Sequence, residues 1–397
     1  MLVLVVNCGS SSIKYKLMDM TQESVLLSGL SERIGIAGSR IKQENSKGEE
    51  LVLEQDLPNH KVALETILKC ITDEKYGAIK DTAEIKAVGH RVVHGGEKFN
   101  TSVVVDAELM KVLEEMSELA PLHNPPNIVG IKTCQELMPH VAHVAVFDTA
   151  FHSAMSKQAY TYAIPYEYYE KYKIRRYGFH GTSHKFVSYR AAEILGKPVE
   201  ELKIIVCHLG NGSSISAVGN GVSQDTSMGF TPLPGLPMGT RTGDMDPAIV
   251  SFLMEKEQIS LADISNVLNK KSGVLGVSGI SSDFRDLEDA ANKGNERAEL
   301  ALSMFAYGII KYIGAYTAAL GGLDVVAFTG GIGENSVDMR ARVLKGLAYT
   351  GLQIDEEKNK SRGKEVIISK PGAPFTAMVV PTNEELMIAR ETKELVQ

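Results

Sequence analysis

The sequence predicts an α/β protein with partly parallel sheets that is built from two related halves. Short apolar runs rich in Val and Ile alternate with longer helical patterns along the whole chain. A strand, a turn containing Gly and Ser, and a second strand occur in the same order twice, about 200 residues apart. At 397 residues the chain is also long enough to form two hydrophobic cores.

The individual elements follow from these patterns. Six runs are interpreted as buried strands because they are short, apolar and bounded by polar residues or glycine: 2–6, 85–94, 143–148, 203–209, 324–330 and 376–381. Three longer stretches have helical patterns: 107–119, 183–195 and 296–320. The pair Gly321-Gly322 ends the last of these helices.

The repeated segments are "LVVNCGSSSIKYKL" at 4–17 and "IIVCHLGNGSSISAV" at 204–218. Each predicts a β-hairpin whose turn directs backbone N–H groups and small hydroxyls to one point, which forms an anion-binding concavity. A single Gly-Ser-Ser turn is more often an ordinary polar turn. Because the pattern recurs behind a buried strand, both copies are interpreted as phosphate hairpins.

Composition excludes several classes of protein. A net charge of −7 argues against nonspecific binding to nucleic acid. The four cysteines have neither CxxC nor disulfide-type spacing, which favours free thiols in a reducing cytoplasm. No targeting segment is apparent, and Lys311 interrupts the most apolar stretch at 300–323. We therefore expect a cytoplasmic protein with no membrane segment.

Neither a P-loop motif nor the protein-kinase motif set occurs, but groups suited to phosphoryl transfer stand at predicted strand ends. Arg91 lies within the apolar strand of "GHRVVHGGEKF" (89–99) and needs an anionic partner there. That partner is either a substrate carboxylate or phosphate, or an internal Asp or Glu. Asp148 ends the strand of "VAVFDTAFH" (144–152), the usual position of a metal-binding or acid–base carboxylate, with a helix N-cap as the alternative.

Two glycine-rich segments carry basic side chains. In "RRYGFHGTSH" (175–184) the neighbouring glycines expose His180. Its i, i+4 spacing with His184 is that of a zinc pair, but no acidic or cysteine partner is nearby. The loop "TPLPGLPMGTRTGDMDP" (231–247) is rich in Pro and Gly and poor in helix signals. It either holds Arg241 over a reacting phosphoryl group or exposes this arginine to solvent.

Two further segments suit a nucleotide and its metal ion. "AFTGGIGENS" (327–336) follows a buried strand and opens towards a helix, so its backbone can lie against a nucleotide or a phosphate. "VVPTNEE" (379–385) ends the last strand in Asn383, Glu384 and Glu385, whose oxygens suit Mg²⁺.

With these segments in order, the chain resembles the acetate kinase family, in the superfamily of sugar kinases, heat-shock ATPases and actin. The matching segments are "VNCGSSSIK", "GHRVVHGG", "FDTAFH", "RRYGFHGTSH", "HLGNGSS", "DTSMGFTPLPGLPMGTRTGDMDP", "GVSGISSDFRD", "FTGGIGENS" and "TNEE", and they span essentially the whole chain. The resemblance implies two homologous domains of the actin-like ATPase (ribonuclease H-like) type, with mixed sheets flanked by helices and a cleft between the domains. Domain I would comprise 1–150 plus the C-terminal helix 385–397, and the nucleotide-binding domain II would comprise 151–384.

The resemblance also implies roles for individual residues. Asp148, His180, Arg241 and Arg91 would be catalytic, and Asn7 and Glu384 would hold Mg²⁺, or Mn²⁺ in its place. Arg91 would also bind the substrate carboxylate. The methyl group of the substrate would be enclosed by Val93, Leu122, Phe179 and Pro232. The implied nucleotide contacts are Ser12, Lys14, His208, Leu209, Gly210, Asn211, Gly212, Asp283, Phe284, Arg285, Gly331, Ile332, Gly333, Glu334 and Asn335.

The implied activity is the reversible in-line transfer of the γ-phosphoryl group of ATP to acetate, giving acetyl phosphate and ADP, in a homodimer. A carboxylate is ionised near neutral pH, so the reaction needs no strong general base. One alternative is the same chemistry on propionate or another short-chain acid, because a methylene gives only about 1–3 kcal/mol of discrimination. Another is an actin-like ATPase switch, but a switch has no acceptor carboxylate to occupy Arg91 and the GTRTGD loop.

Overall fold

The computed structural model describes residues 1–118 and 124–397. The strands are β1 (Leu2–Cys8), β2 (Ser12–Asp19), β3 (Ser24–Glu32), β4 (Arg40–Asn45), β5 (Glu50–Glu54), β6 (Ile85–Val92), β7 (Val103–Val104), β8 (Ala142–Phe147), β9 (Ile204–His208), β10 (Ser214–Gly219), β11 (Val222–Thr226), β12 (Val325–Thr329), β13 (Val366–Ile367) and β14 (Thr376–Val379).

The helices are α1 (His60–Ile71), α2 (Ala107–Glu115), α3 (Asn124–Leu137), α4 (Lys157–Tyr160), α5 (Tyr166–Tyr172), α6 (Gly181–Leu195), α7 (Ala248–Glu257), α8 (Leu261–Lys270), α9 (Gly273–Ser278), α10 (Phe284–Asn292), α11 (Glu296–Leu320), α12 (Gly330–Asn335), α13 (Val337–Gly346), α14 (Glu356–Asn359) and α15 (Glu384–Val396). The predicted helix at 107–119 corresponds to α2, and its last residue, Leu119, lies outside the described residues.

The chain divides into two compact units. Unit 1 comprises Met1–Phe151 and Asn383–Gln397, and unit 2 comprises His152–Thr382. The sequence assigned Glu384 to the second domain, but in the structure it is the first residue of α15 and belongs to unit 1. The side chain of Asn383 caps α15 by accepting from Leu386 N at 3.1 Å. The second segment of unit 1 therefore starts at this helix cap.

Unit 1 contains one mixed sheet of eight strands in the order β5-β4-β3-β2-β1-β6-β8-β7. The strands from β1 to β5 pair antiparallel with their sequence neighbours, β6 pairs in parallel with β1, and β8 pairs in parallel with β6. β1 is buried on both faces. Its Leu4 and Val6 pack in a core with α1 and α3, whereas Val3 and Val5 pack against α15. A near-continuous apolar run is typical of such a central strand.

Unit 2 contains a mixed sheet of six strands in the order β11-β10-β9-β12-β14-β13. β9, β10 and β11 are antiparallel, and β12 and β14 extend the sheet in parallel with β9. The order β3-β2-β1-β6-β8 of unit 1 thus recurs as β11-β10-β9-β12-β14, with the same strand directions. This recurrence is the ribonuclease H-like core, and it confirms the predicted fold class. The long helix α11 covers the unit 2 sheet with Phe305, Ile309 and Ile313.

In the part of the chain that the structure describes, no helix combines the length and the apolar character that a membrane crossing requires.

Several buried histidines of both units are held neutral. In unit 1, His143 Nε2 lies 3.2 Å from the carbonyl of Met138, which can only accept, so His143 carries its proton on Nε2. His143 Nδ1 therefore accepts from His90 Nε2 at 3.0 Å. Burial lowers the pKa of both rings from the usual 6.5. Burial also lowers the pKa of His94 to about 4 and that of His152 to about 4.

We expect the free energy of unfolding to fall as the pH is lowered from about 6.5 towards 4. These histidines stay neutral in the folded chain but take up protons near pH 6.5 when unfolded. Their contribution to stability is therefore complete above about pH 6.5 and is lost as the pH falls towards the lowered pKa values, by up to about 1.4 kcal/mol per pH unit for each group. Because the chain has no Trp, urea unfolding followed by circular dichroism measures this slope.

His90→Gln keeps an amide that can donate to His143 and removes one of the titrating groups, so it should reduce the slope. His140→Gln, at an exposed position, is the matched control and should leave the slope unchanged. An identical slope in wild type and His90→Gln would contradict the assignment of acid sensitivity to the buried pair.

Candidate active site

The first predicted phosphate hairpin is present in unit 1. β1 and β2 are joined by a short turn in which Gly9 N donates to the carbonyl of Ser12 at 2.8 Å. In this hairpin Asn7 pairs directly with Lys14, so both side chains leave the same face of the ribbon near its turn. The sequence predicted separate roles in metal and phosphate binding for these two residues, and the register makes them neighbours.

Arg91 and Asp148 form an ion pair at one end of the unit 1 sheet. β6 and β8 run in parallel, which brings Arg91, near the end of β6, beside Asp148, directly after β8. Arg91 Nε donates to Asp148 Oδ1 at 3.1 Å, and Nη2 donates to Oδ2. The Asp148 side chain is only 2% exposed, whereas that of Arg91 is 22% exposed. The sequence left either a substrate anion or an internal carboxylate as the partner of Arg91, and in the structure Arg91 pairs with the internal carboxylate of Asp148.

The oxygens around this pair fit the predicted divalent ion. Burial and repulsion by Asp148 raise the pKa of Glu384 from 4.5 to about 7, and Arg91 and Lys14 oppose that shift. A bound cation would relieve the repulsion between the two carboxylates. Residues 1–118 and 124–397 contain no cluster of three or more His, Cys, Asp or Glu that could hold a metal. Two carboxylates and the amide of Asn7 nevertheless suit Mg²⁺, which keeps several waters.

The second predicted hairpin is present in unit 2, where residues 209–213 join β9 to β10. Gly210 N donates to Ser213 Oγ at 3.1 Å, and Ser213 Oγ donates to the Gly210 carbonyl at 2.8 Å. Leu209 was predicted to contact the nucleotide, but its side chain is fully buried in the unit 2 core. It directly follows the last residue of β9, and its side chain belongs to the core cluster that includes residues of α11 and β12. Leu209 therefore contributes to this site through its backbone.

His180 and Arg241 converge on this hairpin. His180 precedes α6 with a left-handed backbone (φ 57°), and its ring stacks on His208 at a centroid distance of 4.3 Å. A Cβ added to Gly212 would lie 3.5 Å from Arg241 Nη1 and 3.6 Å from His180 Nε2. An imidazole and a guanidinium thus face the same turn at Gly212, an arrangement that suits a phosphoryl group.

The spacing of His180 and His184 does not form a zinc pair. His180 Nδ1 lies 2.9 Å and His184 Nε2 lies 2.7 Å from the same hydroxyl, Ser214 Oγ. A serine therefore occupies the place between the two rings where a shared metal ion would have to lie. His184 Nδ1 has a second hydroxyl partner, Ser216 Oγ, at 2.7 Å.

Arg241 is held by the Pro- and Gly-rich loop, which contains neither helix nor strand, as predicted. Its Nη1 donates to the carbonyl of Pro232 at 3.2 Å, and burial lowers its pKa. Unlike Arg91, Arg241 has no acidic partner within salt-bridge distance among the residues that the structure describes. The loop is seated on the second hairpin, since Gly239 N donates to the carbonyl of Asn211 at 3.0 Å.

The base of this loop is closed by a residue that the sequence did not indicate as functional. Gly235 N donates to Asp244 Oδ1 at 2.8 Å, and Asp244 N donates back to the Gly235 carbonyl at 2.9 Å. The hydroxyl of Tyr312, on α11, donates to Asp244 Oδ2. Because Tyr312 is almost 70 residues further along the chain, no local pattern could have paired it with Asp244.

A cavity of about 540 Å³ lies beside the second hairpin. It is lined by Gly210, Asn211, Ser282, Asp283, Phe284, Arg285, Glu288, Gly331, Ile332, Asn335, Ser336 and Arg362. The predicted nucleotide segments 283–285 and 331–335 thus meet at one cavity within unit 2. Sequence reasoning missed Ser282, Glu288, Ser336 and Arg362. Ser282 and Ser336 flank the predicted segments, whereas Arg362 had no signal because it lies in a distant loop.

Some predicted nucleotide residues stabilise the walls of this cavity. Phe284 lines the cavity, and its ring packs edge-on against Phe305 of the core at 4.7 Å. Glu334 Oε1 accepts from Gly330 N at 2.9 Å and from Thr382 N at 3.1 Å, so this carboxylate holds the glycine-rich turn. His208, Leu209, Gly212, Gly333 and Glu334 are not among the residues that line the cavity.

The predicted methyl-binding residues lie in different parts of the chain. Val93 is buried in unit 1, while Phe179 is buried and Pro232 half-buried in unit 2. Leu122 lies outside the described residues. The enclosure of a methyl group by these four residues stays a prediction.

The repeated ribonuclease H-like core, with a hairpin in each copy and a cavity beside the second, defines a two-domain protein of the actin-like ATPase fold. The comparisons with known proteins identify the family. The sequence profile of the acetokinase family matches residues 2–390. The chain belongs to the acetokinase family, which confirms the resemblance found in the sequence.

Individual relatives support the same family. The chain is 91% identical to acetate kinase from Desulforamulus reducens, with all of both chains covered. The crystal structure of Porphyromonas gingivalis acetate kinase superposes with a TM-score of 0.96 at 52% identity, covering 100% of each chain. A propionate kinase from Francisella tularensis subsp. tularensis has a TM-score of 0.92 at 42% identity, covering 99% of each chain.

Removal of the Asp244 side chain should loosen the loop that holds Arg241. We expect Asp244→Ala to become sensitive to trypsin after Arg241, because the peptide bond must leave its folded position to enter a protease. Mass spectrometry of the digest should show the fragments 1–241 and 242–397. Asp246→Ala, which changes an exposed neighbouring carboxylate outside the closure, should resist cleavage as wild type does. Equal resistance of Asp244→Ala would contradict the role of Asp244.

Proposed function

We propose that this chain catalyses the reversible, Mg²⁺-dependent transfer of the γ-phosphoryl group of ATP to acetate, giving acetyl phosphate and ADP. The observation that carries this proposal is the convergence of His180 and the unpaired guanidinium of Arg241 on Gly212 in the second hairpin. Two positively charged or hydrogen-bonding groups directed at one glycine turn suit a phosphoryl group. The identity of the acceptor follows the name of the 91% identical relative.

The transfer is a direct displacement. One oxygen of the acetate carboxylate attacks the γ-phosphorus, a new P–O bond forms, and the bond from the γ-phosphorus to the β,γ-bridging oxygen breaks with its electron pair leaving on ADP. The acceptor is already ionised near neutral pH, so no side chain has to remove a proton. The main barrier is repulsion between two anions. Arg241 and His180 offset this repulsion as the charge spreads over the equatorial oxygens.

In unit 1, the ion pair of Arg91 and Asp148 would receive the acceptor. Asp148 fixes the plane of the guanidinium through two hydrogen bonds, so that the remaining N–H groups of Arg91 point in a defined direction. Asn7, Glu384 and Asp148 would hold Mg²⁺, directly or through waters. When bound, this ion supplies charge neutralisation to the nucleotide phosphates.

In unit 2, the cavity of about 540 Å³ would take the nucleoside of ATP. Its walls are the start of α10 and the glycine-rich helix α12, so flat backbone surfaces are available to a ring system. The N–H groups of the second hairpin would face the phosphates.

A hydroxamate assay tests the proposal. The protein, ATP and Mg²⁺ are incubated with acetate and hydroxylamine, which traps acyl phosphate as a hydroxamate. We expect product with acetate and a lower kcat/KM for propionate and butyrate, by about 10-fold or more for each added methylene. A preference for propionate would select the activity named for the Francisella relative instead.

Matched arginine variants complete this test. Arg91→Ala and Arg241→Ala should each lower turnover by about 10²–10³-fold. Arg91→Ala should also lower the free energy of unfolding, because it leaves the buried carboxylate of Asp148 unpaired. Arg190→Ala removes a surface arginine that pairs with Glu365, and it should leave turnover unchanged. ATP hydrolysis without acyl phosphate in the wild type would overturn the proposal in favour of an ATPase switch.

We also propose that the chain forms a homodimer through α11. Leu300, Met304 and Tyr307 are 53%, 40% and 65% exposed and follow one another at i, i+4 and i+7, so they form an apolar stripe on one face. A cavity of about 430 Å³ adjoins this stripe and is lined in part by Met304, Tyr307 and Pro237. A second copy of the chain suits such a stripe, because a two-fold axis pairs the same surface with itself.

Light scattering after size-exclusion chromatography tests this interface. The wild type should have about twice the chain mass of 43.1 kDa. The double variant Leu300→Glu/Tyr307→Glu should elute as a monomer, because it places charges within the stripe. Tyr349→Glu alters an equally exposed tyrosine outside the stripe and should stay dimeric. A monomeric wild type, or a dimeric double variant, would exclude α11 as the interface.

A cytoplasmic location is part of the same proposal. All four cysteines are free and buried, which is usual for a protein of a reducing compartment.

A further inference from the structure

Behind His180, imidazole and hydroxyl groups alternate in a buried chain of hydrogen bonds. His180 Nδ1 lies 2.9 Å from Ser214 Oγ, which lies 2.7 Å from His184 Nε2. His184 Nδ1 lies in turn 2.7 Å from Ser216 Oγ. Ser214, His184 and Ser216 have no exposed surface. We refer to these three residues and His180 as the relay.

The local structure explains this arrangement. His180 and His184 lie one helical turn apart at the start of α6, so their rings point to the same side. Ser214 and Ser216 lie two residues apart on β10, so both hydroxyls point to the same face of the sheet. α6 packs beside this region of the sheet, and the two pairs therefore interleave.

The number of protons allows only two patterns in a neutral relay. Each hydroxyl donates once, and each neutral imidazole carries one N–H and one accepting nitrogen. In the first pattern Ser216 donates to His184 Nδ1, His184 Nε2–H donates to Ser214, and Ser214 donates to His180 Nδ1. The proton of His180 is then on Nε2. In the second pattern every donor is reversed, and the proton of His180 is on Nδ1.

The surroundings favour the first pattern. In the second, the hydroxyl of Ser216 has to donate elsewhere, and within the described residues no other side-chain or carbonyl acceptor lies within hydrogen-bond distance of it. A buried hydroxyl without an acceptor is unfavourable. Burial and the nearby rings of His152, His208 and His180 lower the pKa of His184, so that it stays neutral and does not donate from both nitrogens.

The first pattern also suits the site. His180 Nε2 is the nitrogen that lies 3.6 Å from the Cβ position of Gly212, on the side of the second hairpin. With its proton on Nε2, a neutral His180 donates towards this hairpin. With the proton on Nδ1, it would present a lone pair to the phosphoryl oxygens and repel them.

We propose that His184, Ser214 and Ser216 are positioning residues that hold the proton of His180 on Nε2, where it can be donated to the transferring phosphoryl group. This proposal rests on the proposed function, in which His180 contacts that group. The stacking of His208 on His180, and the bond of 2.8 Å between His208 Nδ1 and Ser183 Oγ, keep the ring in the required plane.

The test uses full-length protein labelled with ¹⁵N only in histidine. Two-bond ¹H–¹⁵N spectra distinguish the two neutral tautomers of each ring, and the His180 signals are assigned by their loss in His180→Gln. In wild type we expect His180 as the Nε2–H tautomer near neutral pH. In Ser214→Ala, Nδ1 loses its donor, and the His180 signals should shift towards a mixture of tautomers.

Turnover is measured on the same variants. Ser214→Ala should lower kcat by about 10–100-fold with KM values for ATP and acetate changed by less than about threefold. Ser214→Thr restores a hydroxyl and should recover part of the loss. Ser223→Ala is the matched control: it removes a buried serine that bonds His152 Nδ1 at 2.7 Å but does not touch the relay. It should lower stability like Ser214→Ala and leave the His180 tautomer and kcat as in wild type.

The proposal is overturned if the His180 tautomer in Ser214→Ala equals that in wild type, or if Ser223→Ala lowers kcat as much as Ser214→Ala does. Should Ser214→Ala not fold, Ser216→Ala serves instead, because it removes the hydroxyl that favours the first pattern and should shift the same signals. The spectra need no turnover. A wild type that makes no acyl phosphate but shows the tautomer change would therefore reject the proposed function and keep the relay.

Discussion

The backbone of Leu209 fixes two segments that face the candidate phosphate site of unit 2. Its N–H donates to the carbonyl of Thr329 at 2.8 Å, which continues the parallel pairing of β9 with β12 beyond the last strand residues. Its carbonyl accepts from Ile332 N at 2.8 Å and Gly333 N at 3.3 Å, within the glycine-rich turn. Gly330 has φ +73°, and a Cβ there would lie 2.7 Å from that carbonyl oxygen. Only glycine allows this approach, so the hairpin and the turn depend on each other's geometry.

The two candidate anion-binding arginines differ in whether a carboxylate compensates their charge. Arg91 is neutralised by a buried carboxylate, which fixes its orientation and limits the charge that it offers to a ligand. Arg241 is half-buried, its Nη1 donates to the carbonyl of Pro232, and burial lowers its pKa. A bound phosphoryl group would supply the anionic partner that Arg91 already has in Asp148. In the proposed function, Arg241 of unit 2 would attract the transferring group, whereas Arg91 of unit 1 would mainly orient the acceptor carboxylate.

The sequence was informative where a feature is local. The six predicted strand runs, the two hairpins and the glycine-rich turn after β12 follow from patterns of 15 residues or fewer, whereas β3, β4, β5, β7, β11 and β13 were not predicted. The repeat of the hairpin pattern predicted two related halves. Motifs did not show that the side chain of Leu209 packs in the core beside the second hairpin, or that Phe284 lines the cavity while its ring packs against Phe305. Contacts between distant segments, such as Tyr312 with Asp244 or His184 with Ser216, depend on how α6 and α11 pack on their sheet. No spacing in the sequence encodes that packing.

The relay explains why position 184 holds a titratable histidine, although an aliphatic side chain there would make the fold more stable in acid. His184 is completely buried and must stay neutral, so its presence costs stability as soon as the unfolded chain can take up a proton near pH 6.5. A leucine would fill the same interior without that cost, but it has no N–H to donate to Ser214 and no nitrogen to accept from Ser216. A neutral imidazole accepts at one ring nitrogen and donates at the other. The acid sensitivity of this part of unit 2 therefore follows from the same property that directs the proton of His180.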